Sequence, residues 1–300
     1  MTDVFSCCTL CPRACRVNRH ERAGYCGERD ALRVSRAALH FWEEPCISGT
    51  RGSGTVFFVG CALRCSYCQN FDISRSRGGG KISVERLTKI FFELKDKGAH
   101  NVNLVTPSHF APLIVEAIAA AKARGFDLPF VWNSSGYESA ETIRMLDGYI
   151  DVFLPDFKYI SPDTAAAYSA ARDYPAVAKA ALCEMVRIAG EPRFESDGMM
   201  TRGVIVRHLV LPSHASESIE ILKYLNMTFG NAIFVSIMNQ YTPTKNETHT
   251  ELCRKLTTYE YQKVLAAARE IVITNGFIQD GGTQSESFIP PFDMTGVYSP

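Results

Sequence analysis

The chain has 300 residues with 32 Lys+Arg against 32 Asp+Glu, so no net basic charge points to a nucleic-acid partner. At 46% hydrophobic it has ample material for a core, and no apolar run approaches the length of a membrane span. The opening residues Met1 to Cys8 do not read as a signal peptide, because no basic region leads into an apolar one. Of eleven cysteines, nine precede residue 70 in C-x2-C and C-x3-C groups, which read as metal sites in a reducing cytoplasm and not as a disulfide scaffold.

In chain order the first feature is CCTLCPRACRVNRHERAGYCGER, residues 7–29. Cys8, Cys11, Cys15 and Cys26 supply four thiolates with turn residues Pro12, Gly24 and Gly27 between them, the makings of a closed site. The spacing fits Zn²⁺ or an auxiliary [4Fe-4S] cluster equally, and metal would stabilise a stretch too short for a core of its own. Cys7 and Cys46 are left over and read as buried thiols. Residues 40–55, with His40-Phe-Trp-Glu-Glu-Pro-Cys46 and several glycines, read as an irregular lead-in.

Thr55 to Val59 is an apolar, β-branched and aromatic run that Gly60 ends, hence a buried strand. Cys61, Cys65 and Cys68 follow it directly as C-x3-C-x2-C. Three thiolates this close suit iron–sulfur or zinc. Three sulfurs hold a cubane cluster by three corners and leave its fourth iron open.

From residue 55 onward, strand-like runs alternate with helical periodicity. Strands are expected near 55–60, 101–106, 129–134, 152–158, 204–211 and 233–240. Helices are expected near 83–97, 109–124, 138–147, 161–189, 214–228 and 257–275. Six βα repeats imply an α/β fold with a parallel sheet, either a partial barrel or doubly wound. The division expected is a cysteine-rich extension over 1–50, the main body over 51–282 and a tail over 283–300.

Polar groups gather at the carboxyl ends of these strands, where parallel barrels keep their chemistry. Strand two ends in Val105-Thr-Pro-Ser-His109, strand three in Trp132-Asn-Ser-Ser-Gly136, strand four in Pro155-Asp-Phe-Lys-Tyr159 and strand six in Asn239-Gln-Tyr241. Asp156 and Lys158, two apart on a strand, share a face and need partners there, each other or a zwitterionic cofactor. Of the neighbours Arg207 and His208 only one faces inward, and Arg207 is favoured; Asn133 and Ser134 pose the same choice. Ser108 is an alternative helix N-cap, and Tyr241 reads as a packed tyrosine.

CALRCSYCQN resembles the cluster loop of radical S-adenosylmethionine (SAM) enzymes, and Tyr67 stands where that loop carries an aromatic residue. CPRxC, GYCG, EEPCISG, VTPSH, NSSGY, LPDFKY, RHLVLP and NQYTP extend the likeness to an uncharacterised branch of pyruvate formate-lyase activating enzyme-like proteins. The resemblance implies a (β/α)6 partial TIM-type barrel with a [4Fe-4S] cluster on Cys61, Cys65 and Cys68. It also implies reductive cleavage of SAM to a 5′-deoxyadenosyl radical that removes hydrogen from a target. Asp156 and Lys158 match an Asp-x-Lys pair that contacts SAM in glycyl-radical activating enzymes; Tyr67, Thr106, Ser108, Asn133 and Arg207 complete the expected cofactor set. A Gly-Gly-Glu-type stretch, usual after strand two, is replaced here by Val105 to His109, so the Thr106 and Ser108 hydroxyls or backbone carbonyls would take its place. The implied partners are a reductant such as flavodoxin or ferredoxin and a target that is a glycyl-radical enzyme, a small molecule or a peptide. A metal-binding scaffold without catalysis is the rival reading, and no catalytic residue is singled out.

Overall fold

The structure, a computed structural model, describes residues 3–244, 247–279 and 289–298. Its strands are β1 (Leu32–His40), β2 (Ser53–Phe58), β3 (Gly80–Ile82), β4 (Val102–Val105), β5 (Phe130–Ser134), β6 (Val152–Pro155), β7 (Arg193–Phe194), β8 (Met200–Leu209), β9 (Phe234–Met238) and β10 (Gly276–Ile278). They form one sheet in the order β10-β9-β8-β6-β5-β4-β2-β1-β3, with β7 paired to β8. From β2 to β10 neighbours run parallel, whereas β1 lies antiparallel to both β2 and β3. The two ends of the path do not meet among the described residues, so the barrel is partial. Strands β2, β4, β5 and β6 are buried along their whole length, as parallel strands covered on both faces must be.

The helices are α1 (Pro45–Ser48), α2 (Phe71–Ser74), α3 (Val84–Asp96), α4 (Ala111–Ala123), α5 (Ala140–Arg144), α6 (Pro162–Ser169), α7 (Tyr174–Ala189), α8 (Ala215–Phe229) and α9 (Thr258–Glu270). Helix α3 shows why they form: Ser83 caps its start by accepting from the Arg86 amide, and Leu87, Ile90, Phe91 and Leu94 fall on one buried stripe. Each of those side chains contributes roughly 1.5–3 kcal/mol by leaving water.

All six expected parallel strands are present, with β10 as a seventh; α5 and α9 are shorter than expected, the short helices α1 and α2 were not expected, and the largest difference is in one place. The single helix expected over 161–189 is two, α6 and α7. Pro175 clashes with a continuing helix upstream of it, and the chain turns left-handed at Ala170, with φ of +48°. Strand β1, which the sequence reading grouped with the extension, runs along β2 from Val34 to His40, so the extension and the barrel share one sheet. Of the expected tail, residues 283–288 lie outside the described residues. Beyond them the chain covers the free edge of β1: the Ala37 amide donates to Thr295 O at 2.8 Å and the Met294 amide to Ser35 O at 3.0 Å.

Candidate functional site

The cysteine loop leaves β2 through Gly60, whose φ is +90°. A side chain there would stand 2.9 Å from the Cys26 carbonyl oxygen, so glycine lets the N-terminal region press against the loop. The contact is direct, because the Cys61 amide donates to that carbonyl at 3.2 Å. Arg13 clamps the same junction from outside. Its guanidinium donates to Ala62 O at 2.9 Å and Ala170 O at 2.6 Å, and it lies over the Tyr25 ring at 4.3 Å.

Cys61, Cys65 and Cys68 line one end of a cavity of about 590 Å³ enclosed by the carboxyl ends of the parallel strands. Burial pushes the Cys61 thiol up, and burial with repulsion from its neighbours pushes Cys68 up to about 12. Buried thiols this reluctant to ionise become ligands when a metal supplies the positive charge. Among the described residues no three His, Cys, Asp or Glu are gathered tightly enough for a single ion. A multi-iron cluster spreads its thiolates more widely, and three cysteines around the end of an open cavity fit it.

Asp156 and Lys158 both line the cavity and pair at 2.7 Å. Burial opposes both charges. For Asp156 the nearby Lys158 and Arg207 outweigh it and hold the carboxyl below its ordinary value; for Lys158 the attraction of Asp156 and the cysteines keeps the ammonium charged. Arg207 also faces inward. It donates to Asp156 at 3.1 Å, to Glu43 at 3.0 Å and to the Asn133 side-chain oxygen at 2.5 Å. His208 points the other way, buried between Phe157 O at 2.8 Å and the Ser218 hydroxyl at 2.9 Å. The parity of β8 settles this pair; Asp156, bridged to Arg207, and Lys158 lie just past the end of β6.

Tyr67 lines the cavity and accepts from the Tyr159 hydroxyl at 2.7 Å. Thr106 lines it with a φ of +56°, a conformation that costs a β-branched residue energy and turns it toward the open space. Ser108 does not join them. It is buried and donates to Glu138, which also receives the Ser134 hydroxyl at 2.8 Å and the Trp132 indole at 3.3 Å. Nor does Ser108 cap α4, which has no side-chain cap.

Cys8, Cys11 and Cys26 are buried and Cys15 half-buried. A side chain added at Gly24 would stand 3.4 Å from the Cys15 sulfur and 3.6 Å from that of Cys26, so these two face one small space. Burial, with repulsion from the other cysteines, pushes Cys11 up to about 12; burial likewise raises Cys26 to about 11. Cys46 is buried as expected, but Cys7 is exposed, because Phe5 and Leu10 fill the small core beside Cys8 instead.

Sequence reasoning missed the carboxylates Glu43, Glu44 and Glu138. The first two sit in the stretch read as irregular, and their signal was two adjacent acids before a proline inside an apolar segment. Glu43 accepts from Arg207, Asn103 and Asn133.

Residues 55–201 match the family model of the radical SAM superfamily, the stretch that carries the cysteine loop, Asp156 and Lys158. The chain carries a radical SAM domain. It is 29% identical over 277 residues to the uncharacterized protein MJ0674 of Methanocaldococcus jannaschii, covering 89% of this chain and 76% of that one. It is 30% identical over 113 residues to the pyruvate formate-lyase-activating enzyme of Clostridium pasteurianum, covering 36% of this chain and 46% of that enzyme. Among solved structures, SuiB of Streptococcus suis aligns with a TM-score of 0.48 at 11% identity, over 77% of this chain and 49% of that one. Methylornithine synthase (PylB) aligns with a TM-score of 0.46 at 16% identity, over 70% of this chain and 59% of that one. Radical SAM proteins of this kind are enzymes, and the domain implies a [4Fe-4S] cluster and SAM. Among the described residues no helix is long and apolar enough to cross a membrane.

Proposed function

We propose that this enzyme holds its [4Fe-4S] cluster on Cys61, Cys65 and Cys68 and works on a small molecule admitted to the cavity, in a reducing cytoplasm. The observation that carries this reading is the single space joining the three cysteines to Asp156, Lys158, Asn133 and Arg207. When bound, the cluster supplies the electron that cleaves the S–C5′ bond of SAM, giving methionine and the radical that removes a hydrogen atom. Asp156, Lys158 and Asn133 bind and orient SAM by its hydroxyl and charged groups, with Thr106 and Tyr67 flanking it. Arg207 holds Asp156 ionised, and the buried Tyr67–Tyr159 contact excludes water beside the loop. The work of the chain is to fix C5′ against the target hydrogen and keep other hydrogen donors away.

Cys8, Cys11, Cys15 and Cys26 hold a second iron–sulfur cluster in this reading, through which a flavodoxin- or ferredoxin-type reductant delivers its electron. The Cys26–Cys61 hydrogen bond favours it, since it puts the two cysteine sets back to back. A second target, a glycyl residue of a partner enzyme, is favoured by the match to the Clostridium activating enzyme.

The test is anaerobic reconstitution with iron and sulfide, reduction, and assay of 5′-deoxyadenosine, against a Cys61/Cys65/Cys68→Ala triple variant. Turnover in the wild type and none in the variant is the expected result; a fully loaded wild type that never cleaves SAM overturns it. Iron and sulfide retained by the triple variant locate the second cluster, whereas zinc alone refutes it.

A further inference from the structure

The end of the cavity away from the cysteines has a chemistry of its own. Strand β1 is antiparallel to β2, and His40 pairs with Ser53 at the start of β2, so the residues after His40 enter at the amino ends of the parallel strands. Glu43 and Glu44 therefore form a floor beneath Arg207. Glu43 is consumed by Arg207, Asn103 and Asn133. Glu44 lines the cavity, is 7% exposed, and its Oε2 has no hydrogen-bond partner among the described residues. A buried acceptor left without a donor destabilises the protein, and a bound donor removes that cost.

The charges point the same way. Asp156, Glu43 and Glu44 face two cations, Lys158 and Arg207, leaving one carboxylate in excess. Three of the five N–H groups of Arg207, one on each nitrogen, already donate to Asp156, Glu43 and Asn133, and two carboxylates match its charge, so the guanidinium has little attraction left for an anionic ligand. Trp42, two residues before Glu44, and Phe277, paired with Ser236 beside Arg207, add apolar surface to the cavity here, with Ser236 itself the polar neighbour. We propose that the floor is the substrate's ammonium subsite, and that the substrate is a primary amine on an apolar body whose nitrogen donates to Glu44 Oε2. This rests on the small-molecule reading above and narrows its substrate class. Burial, with repulsion from Glu43, raises the Glu44 carboxyl while Arg207 opposes the rise; an arriving ammonium favours the carboxylate, so affinity rises with pH until Glu44 is ionised in the free protein.

The experiment uses three probes of one shape, 4-phenylbutylammonium, 4-phenylbutanol and 4-phenylbutyrate, titrated into the reconstituted protein by calorimetry without reduction. The ammonium should bind at least tenfold more tightly than the alcohol, more tightly at about pH 8 than at about pH 6, and butyrate not at all. Glu44→Gln should weaken the ammonium at least tenfold. Preference for butyrate or the alcohol, no binding of any probe, or ammonium binding unchanged in Glu44→Gln each overturn the inference. If Glu44→Gln does not fold, Glu44→Asp takes its place and should weaken the ammonium by a smaller factor, unchanged binding again counting against it. Since binding is read without SAM cleavage, a wild type that cleaves SAM but ignores the amine refutes the subsite alone. One that binds the amine but never cleaves SAM refutes the radical reading.

Discussion

Replacing Arg207 by Leu takes the cation from the buried Glu43 carboxylate and leaves Asp156 with Lys158 alone. Its guanidinium holds Asp156 at 3.1 Å and Glu43 at 3.0 Å, and only 15% of the Arg207 side chain is exposed. Removing one member of a buried ion pair costs roughly 3–5 kcal/mol, because the other charge stays desolvated. At about 2–4 °C per kcal/mol for a chain of this size, the melting temperature of the metal-free protein should fall by roughly 6–20 °C near neutral pH. The loss should depend on pH with a definite sign. In the wild type Asp156 lies below its ordinary value, so its share of stability is present at neutral pH and goes only as pH falls through that lowered value. In the variant Asp156 keeps Lys158, but Glu43, whose carboxyl burial already raises against the pull of Arg207, loses that cation and rises further; it then destabilises more at neutral pH, and the loss is recovered as it takes up a proton. The gap to wild type should therefore narrow between about pH 8 and pH 5, and Glu43→Gln added to Arg207→Leu should restore part of the loss. Circular-dichroism melts across that range are the assay. A gap below about 1 kcal/mol, or one that stays constant or widens as pH falls, would refute the reasoning.

Three further substitutions probe the scaffold. Burial and the nearby Arg19 lower His109 to about 3 while Val59 O holds its ring at 2.7 Å, so the unfolded chain takes up a proton below about pH 6.5 that the folded chain refuses. Stability should drop by up to about 1.4 kcal/mol per pH unit on this account, and His109→Gln should remove that slope in urea titrations; an unchanged slope would count against it. Gly136 has a φ of +74° and a Cβ there would lie 2.3 Å from Asp156 O, whereas Gly148, with φ of +81°, has nothing within 4 Å. Gly148→Ala should therefore cost only the left-handed strain of about 1–2 kcal/mol. Gly136→Ala should cost more and weaken SAM binding by moving Asp156, and equal melting temperatures for the two would show that the clash is relieved elsewhere.

The residues of the cavity were legible to different depths. Cys61, Cys65 and Cys68 announce themselves because three cysteines lie within eight residues. Arg207 follows from the period of its strand, which puts alternate residues on one face; Asp156 and Lys158 carry the same alternation just past the end of β6. Ser108 misled for the converse reason: it begins a single 3-10 turn, too short for a period to apply, and its partner Glu138 comes from beyond the next strand.

What the sequence determined alone was therefore everything that repeats or clusters locally: the six parallel strands, the cysteine loop and the inward faces. The tertiary structure decided what meets across long separations. Glu43 reaches Arg207 over 164 residues, the Cys26 carbonyl meets the Cys61 amide, and residues 294–295 close the edge of β1. None of these pairs has a local signature, because each depends on closing a barrel whose curvature and register are set by packing of the whole sheet. The floor of two glutamates, on which the substrate proposal stands, belongs wholly to that second kind.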